Sequence, residues 1–265
     1  MRIQAGVAGQ PITHSLSPLI HGAWIAAAGL EADYRALGPA DAAEFAKLVA
    51  EGRAGLLRGF NVTAPFKAQA LALADEASTT ARRCGSANLL LFEGGRVSAD
   101  STDGAGLMAA LADQAPGLAV KDRLVVVLGA GGAARAAVAA LLAAGARVGV
   151  LNRTAARAEG LVADIGGTVA HPAALGEASL VVNALSVLPD IDLSRLGPET
   201  VLMDMTYRPL MTPFLTAGRA RGLTVVDGLA MLIGQARPSF RALFGIEPPD
   251  VDVRRIALHA LEQEA

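Results

Sequence analysis

Leu124–Leu128 is an unbroken apolar run that passes directly into Gly129-Ala130-Gly131-Gly132-Ala133-Ala134. A strand buried on both faces of a parallel sheet has this texture. A turn of small residues between such a strand and a helix allows close approach of a ligand to the backbone, and it leaves the helix N-terminal N–H groups for an anion. The third fingerprint position is Ala134, an accepted substitute for glycine. A glycine triplet alone is a weak signal, and a tight turn without a ligand is its plain structural reading. The strand ahead and the alanine-rich helix behind, closed by Gly145, favour a dinucleotide pyrophosphate over Gly129, Ala130, Gly131, Gly132 and Ala133.

The end of the next strand, Arg147–Leu151, discriminates between dinucleotides. An acid about 20 residues after the turn accepts from a free ribose 2′-hydroxyl. Here Asn152-Arg153-Thr154 and then Arg157 occupy that region, and no acid lies between Gly129 and Glu159. A carboxylate repels a 2′-phosphate, whereas a guanidinium pairs with it. The expected cofactor is therefore NADP, although Arg157 taken alone also reads as an ordinary exposed helix arginine.

The remaining composition sets bounds. At 265 residues the chain fits about two domains. It is 52% hydrophobic and 18% charged, which supplies ample core. Much of the apolar content is alanine, and runs such as Ala136–Ala144 fall short of the ~20 residues a membrane span needs. No basic-then-apolar leader is recognisable near Met1. Cys84 is the only cysteine, which excludes an internal disulfide and suits a reducing, cytoplasmic setting. Net charge is −2 without a basic block, so nucleic acid is a poor partner. His14, His21, His171 and His259 have no metal-ligand spacing, and we expect no metal; His14 and His21 read as structural.

Strand and helix signals alternate along the chain. Ile3–Ala8, Asp33–Leu37 and Gly59–Thr63 read as strands, and Asn88–Phe92 with Arg96–Ala99 as a hairpin about Gly94-Gly95. Ser17-Pro18 up to Ala28, closed by Gly29, carries serine as N-cap, proline at the first helical position and a terminating glycine. Ala40–Val49, Pro65–Ala74 and Asp103–Gln114 read as further helices. After Ala115-Pro116-Gly117, strands at Leu124–Leu128, Arg147–Leu151, Leu180–Asn183, Val201–Met205 and Thr224–Val226 imply a doubly wound sheet. Gly228–Phe244 and Val251–Gln263 read as the last helices. The expected fold class is α/β with two domains and a cleft between them. One is an α/β substrate-binding domain, residues 1–105 with helices from 236–265. The other, residues 106–235, is a Rossmann-like NADP-binding domain with a parallel sheet.

Three segments of the first half are dense in polar residues: His14-Ser15-Leu16-Ser17-Pro18, Asn61-Val62-Thr63-Ala64-Pro65-Phe66-Lys67 and Ser101-Thr102-Asp103-Gly104. Ser15 and Ser17 are hydroxyl donors at a helix start, where the dipole stabilises a carboxylate; Ser17 also reads as a simple N-cap. Lys67 sits in a first helical turn, where acids are preferred and the positive dipole end disfavours an ammonium. That placement suits acid–base work, with a surface lysine as the bland alternative. Asp103 opens a helix, as a cap or as an acid with a task.

These segments resemble the shikimate dehydrogenase family over nearly the whole chain. The resemblance rests on Ser-Leu-Ser-Pro, Asn-Val-Thr-x-Pro-x-Lys, Asn88, Thr102-Asp103, the glycine loop, Asn152-Arg153-Thr154, Asp204-Met205-x-Tyr207 and Met231-x-x-x-Gln235. It implies NADPH-dependent reduction of 3-dehydroshikimate to shikimate, a small-molecule reaction carried out by a monomer or homodimer. By the same resemblance Lys67 and Asp103 face the reacting oxygen, Thr63, Asn88 and Gln235 hold ring hydroxyls, and Tyr207 lies beside the carboxylate. Met205, Gly228 and Met231 lie near the nicotinamide. The chain departs from the family at Gly22 and Ser101, where asparagine is usual, at Leu89 in place of a threonine, and at Leu185 and Leu188 in the loop after Asn183. None removes a catalytic group. They leave open a quinate or aminoshikimate dehydrogenase, and a catalytically silent NADP-binding regulator is the reading from outside the enzymes.

Overall fold

The computed structural model describes residues 2–263. The chain divides into two compact units, Met1–Thr102 with Ala236–Ala265, and Asp103–Gln235.

In the first unit the elements run β1 (Ile3–Ala8), α1 (Ser17–Ala27), β2 (Ala32–Leu37), α2 (Ala42–Arg53), β3 (Gly59–Val62), α3 (Lys67–Ala72), β4 (Glu76–Ala77), α4 (Thr79–Cys84), β5 (Leu89–Glu93) and β6 (Arg96–Asp100). They build a six-stranded sheet of order β2-β1-β3-β5-β6-β4. β1 pairs in parallel with β2 and β3, whereas β5 runs antiparallel to β3 and to β6. The β5–β6 turn uses Gly94 and Gly95, both at positive φ, as a tight two-residue hairpin requires. Phe45, Val49, Phe60, Phe66, Leu90 and Phe92 form the core between α2, α3 and the sheet. Phe45 stacks on Phe66 at 4.8 Å between ring centroids.

The helix starts differ from the sequence expectation. α1 begins at Ser17 itself, with Leu16 at the N-cap position and no side-chain cap. Ser17 is therefore inside the helix, and Ser15 Oγ accepts from the Ser17 N–H at 3.3 Å. α2 starts later and runs further than its apolar pattern suggested, because Asp41 caps it by accepting from Ala43 and Glu44 N–H. α3 begins at Lys67 because residues 63–66 form a turn, with Phe66 N–H donating to Thr63 C=O.

The second unit runs α5 (Asp103–Gln114), β7 (Leu124–Leu128), α6 (Gly132–Ala143), β8 (Arg147–Leu151), α7 (Ala155–Ile165), β9 (Thr168–Val169), β10 (Leu180–Asn183), β11 (Val201–Asp204), α8 (Pro213–Ala220), β12 (Val225–Val226) and α9 (Gly228–Phe244). The helix α10 (Val253–Gln263) follows and belongs to the first unit, as do residues 236–244 of α9. The sheet is parallel throughout, in the order β12-β11-β10-β7-β8-β9. Strand order reverses at β7, and such switch points are where open α/β sheets bind ligands. β7, β10 and β11 are buried on both faces, which is why they read as continuous apolar runs. Small residues bring α5 close to its neighbours. A Cβ on Gly104 would lie 2.8 Å from Ala140 Cβ, and one on Gly106 would lie 2.7 Å from the Met231 carbonyl of α9. No helix among the described residues is long and apolar enough to cross a membrane.

Candidate functional site

Four chain segments meet at one edge of the first sheet. Ser15 and Ser17 follow the parallel strand β1, and Thr63 and Lys67 follow β3. Because β5 is antiparallel to β3 and β6 to β5, the start of β5 at Asn88 and the exit of β6 at Thr102 come to that same edge. The loops after β1 and β3 touch: Gln10 N–H donates to Ala64 C=O, and a Cβ on Gly9 would collide with Thr63 Cγ2 at 2.3 Å. Ala87 N–H donates to the carbonyl of Lys67, which ties the start of α3 to the residue before Asn88. Lys67 and Thr63 are half-buried, whereas Asn88 and Asp103 are buried.

Behind this edge lies a buried polar network. Asn88 Nδ2 donates to Thr102 Oγ1 at 2.9 Å, and Thr102 N–H donates to Asn88 Oδ1 at 2.7 Å. The Asn88 carbonyl accepts from Val62 N–H and from Asn61 Nδ2. Asn61 also donates to Ser239 Oγ at 2.8 Å and accepts from the Tyr34 hydroxyl at 2.8 Å. Burial raises the Tyr34 phenol well above its ordinary value, so it stays a donor. Tyr34 stacks on His21 at 4.0 Å. His21 is fully buried, both its ring nitrogens lack a hydrogen-bond partner, and desolvation pushes its imidazole down to about 3. His21 is thus a neutral core ring, in keeping with the structural reading of it. Sequence reasoning passed over Tyr34, Asn61 and Ser239 as contributors. Only Asn61 gave a signal, by lying within the Asn-Val-Thr motif.

The second unit gathers the other candidates at the C-terminal edge of its parallel strands. Gly129 leaves β7 at φ +110°, and a Cβ there would press on Leu185 Cδ2 at 3.0 Å. Gly131 takes the N-cap position of α6 with no side chain capping it, and a Cβ on Gly131 or Gly132 would meet nothing within 4 Å. The result is an uncapped N-terminus of a 12-residue helix with open space before it, which fits a pyrophosphate. After β8, Asn152 Nδ2 donates to Thr154 C=O, closing the turn into α7, whose N-cap Thr154 makes no side-chain cap either. Arg153 and Arg157 are exposed, and neither pairs with a carboxylate among the described residues. This pair of guanidiniums without protein counter-ions fits a ribose 2′-phosphate.

Asp204 holds the strand exits in place. It accepts from Asn183 Nδ2, Thr212 Oγ1 and Thr206 N–H at 3.1, 2.8 and 2.9 Å, which fixes the turn carrying Met205 and Tyr207. Asn183 Oδ1 accepts from Leu185 N–H. Asp227 accepts from Ala230 N–H and from Gln114 Nε2, and so caps the start of α9 with Gly228 and Met231. A Cβ on Gly228 would lie 2.5 Å from the Thr206 carbonyl, so only glycine allows that approach. Gln235 donates to Leu232 C=O within α9. No group of three or more potential metal ligands occurs among the described residues.

A parallel sheet with a glycine turn at its switch point, joined to a second α/β unit rich in ordered polar residues, defines an α/β dehydrogenase of the dinucleotide-dependent class. A family profile described as the shikimate dehydrogenase substrate binding domain matches residues 7–90, and one described as shikimate / quinate 5-dehydrogenase matches residues 110–188. Shikimate dehydrogenase (NADP(+)) of Caulobacter vibrioides is 53% identical, over 98% of this chain and 96% of that protein. The crystal structure of shikimate 5-dehydrogenase from Thermus thermophilus, in complex with NADP(H) and shikimate, is 36% identical with a TM-score of 0.90, covering 97% and 99% of the two chains. Quinate dehydrogenase from Corynebacterium glutamicum, in complex with NAD, is 28% identical with a TM-score of 0.87, covering 98% and 99%. The chain belongs to the shikimate dehydrogenase family.

Proposed function

We infer that this protein is an NADP-dependent shikimate dehydrogenase that interconverts 3-dehydroshikimate and shikimate, a step toward aromatic amino acids. The match over 98% of the chain to a relative of that name carries the reading. The open α6 N-terminus, which suits a dinucleotide pyrophosphate, and the Arg153–Arg157 pair, which suits the 2′-phosphate that NADP has and NAD lacks, support it from the residues themselves.

NADPH, when bound, supplies the hydride. Reduction of the ketone places negative charge on its oxygen, and a proton donor within reach lowers that barrier. We assign this to Lys67, whose Nζ gives the proton to the developing alkoxide, and to Asp103, which positions substrate and lysine. Ser15 and Ser17 take the substrate carboxylate with Tyr207 beside it, and Thr63, Asn88 and Gln235 take ring hydroxyls. Gly129, Ala130, Gly131, Gly132 and Ala133 hold the pyrophosphate. Asn152, Arg153, Thr154 and Arg157 hold the adenosine 2′-phosphate end, and Met205, Gly228 and Met231 the nicotinamide end. We place the enzyme in the cytoplasm, as a monomer or homodimer without nucleic-acid partners. The buried lone Cys84 and the net charge of −2 support that placement.

Steady-state oxidation of shikimate and of quinate, each with NADP+ and with NAD+, tests the reading. Expected is a kcat/KM for shikimate at least ~10-fold above that for quinate, about one lost hydrogen bond, together with strong preference for NADP+. Comparable constants for the two acids would move the chain to a quinate-using branch. No turnover of either would leave a silent NADP-binding protein.

A further inference from the structure

The starts of the strands in the second unit border a cavity of about 750 Å³, lined from the segment after α5 and from the residues at the entry to β7, β8, β10, β11 and β12. All of its lining residues belong to this one unit. The sheet is parallel, so the glycine turn and the other cofactor candidates lie at the strand exits, roughly 15 Å from these starts at the rise of a β-strand. The floor of the cavity is tied together by its own hydrogen bonds. Ser179 donates to Leu124 C=O through its N–H at 2.9 Å and its Oγ at 3.1 Å, and Thr200 Oγ1 donates to Ala178 C=O at 2.9 Å. Its volume falls in the ordinary range of small-molecule sites.

Strand order sorts the charges that line this cavity. Arg123 and Arg147 stand at the entry to the neighbouring strands β7 and β8, and Arg147 N–H donates to Arg123 C=O at 2.9 Å. Glu177 and Glu199 precede the neighbouring strands β10 and β11, on the other side of β7. With ~4.8 Å between strands, the backbones that carry the cations lie roughly 5–15 Å from those that carry the acids. Among the described residues no ion pair joins either guanidinium to a carboxylate. Arg147 gives its Nε–H to Asp122 C=O at 3.3 Å. The Asp122 carboxylate, also on the lining, is the acid on the cationic side. Leu118, Leu124 and Val201 give the lining an apolar part. A simple anion would be drawn to Arg123 and Arg147 but repelled by Asp122, Glu177 and Glu199, and a simple cation would meet the reverse. A molecule that carries both charges on an apolar body meets a complement at each end. We propose that this cavity is a second small-molecule site for a zwitterion with an apolar body, a free amino acid or a short peptide, whose carboxylate faces Arg123 and Arg147 and whose ammonium faces Glu177 and Glu199.

The test uses the full-length protein and needs no turnover, so its outcome is independent of the assigned reaction. Calorimetric titration compares L-phenylalanine and L-alanyl-L-phenylalanine with phenylacetate and phenethylamine, which carry one charge each. At least one of the zwitterions is expected to bind about tenfold more tightly than either singly charged probe, the effect of one charge-assisted hydrogen bond. Tighter binding of phenylalanine supports a free amino acid as the ligand, and tighter binding of the dipeptide supports a peptide. Arg123→Gln and Glu199→Gln, both at exposed positions, are each expected to weaken the zwitterion about tenfold, with Tm and NADP+ affinity unchanged. Phenylacetate binding as tightly as the zwitterions would make the cavity an anion site, and phenethylamine doing so would make it a cation site; either result overturns the proposal. Zwitterion binding undiminished in both variants would place the ligand elsewhere and overturn it too. So would the absence of binding by either zwitterion up to ~10 mM.

Discussion

The functional edges of the two sheets solve opposite problems. At the edge of the first sheet, the side chains of Asn61, Asn88, Thr102 and Ser239 satisfy one another inside the protein. At the edge of the second, Gly131 and Gly132 leave the α6 N-terminus open, and Arg153 and Arg157 have no protein counter-ion among the described residues. The first edge is organised before a ligand arrives, an arrangement that suits the small ring proposed to bind there. The second keeps backbone N–H groups and cations in reserve, an arrangement that suits the phosphates proposed to bind there. Specificity for a neutral hydroxyl needs a fixed geometry, because an unpaired buried polar group is what rejects the wrong ligand. Charge recognition tolerates an exposed and looser arrangement.

The widest departure expected from this contrast is a stability effect at His21, a buried polar group of the first unit whose ring nitrogens lack partners. Its imidazole titrates near 3 in the folded protein against about 6.5 unfolded. Above pH 6.5 both states are neutral and the ring has no pH effect. Below it the unfolded chain takes up a proton that the folded one refuses, so stability falls as pH falls, by about 1.4 kcal/mol per pH unit. Chemical denaturation between pH 7 and 3.5 should show wild type losing about 3–4 kcal/mol more than His21→Phe. Parallel curves for the two proteins would remove His21 from that role.

Next in size is the chemical step. Lys67→Ala should lower kcat at least ~10²-fold with little change in shikimate KM, since the interaction is made mainly in the transition state. Lys67→Met separates charge from bulk. A variant with near-normal kcat and raised KM would make Lys67 a binding residue and leave water as the proton source. Asp103→Asn should impair both constants, and the double variant should be strongly non-additive.

The second edge responds differently. Arg153→Ser should raise KM for NADPH roughly ten- to a hundredfold, one charge-assisted hydrogen bond, while use of NADH hardly changes. Equal loss with both cofactors would break the charge-recognition half of the contrast. A smaller and more diagnostic effect is expected at Gly131. A Cβ there meets nothing within 4 Å and the backbone lies at φ −88°, so Gly131→Ala should fold with unchanged or slightly raised Tm. NADPH affinity should nevertheless fall about tenfold, because the methyl would enter the open space proposed for the pyrophosphate. Gly52→Ala provides the counterpart in the first unit. Its Cβ would lie 2.4–2.5 Å from the Phe92 ring, so calorimetry should show a loss of about 1–3 kcal/mol from overpacking.

The two regions also differed in how legible they were. Strands β7, β8 and β10 and helices α5 and α9 fall at the residues their patterns indicate, because buried parallel strands and glycine-punctuated helices write their boundaries locally. The short elements β4, α4 and β9 were passed over, since two to six residues carry too little periodicity. The cap of α1 was misplaced by local rules. Ser17 has the composition of an N-cap, yet Leu16 takes that position and Ser17 is drawn into the helix and buried.

The sequence by itself determined the α/β class, the glycine turn, the absence of an acid after β8 and the presence of a lysine in a first helical turn. Each is a statement about neighbours in the chain, where composition and spacing act directly. Tertiary structure alone decided what lies behind Asn88. Tyr34, Asn61, Thr102 and Ser239 come from β2, β3, the exit of β6 and α9, and the hydrogen-bonded pair Asn61–Ser239 is 178 positions apart. Pairing across such separations leaves no periodic trace. Their hydrogen bonds form only when the sheet order β2-β1-β3-β5-β6 and the return of α9 to the first unit bring them together, and only burial makes each of those bonds costly to lose.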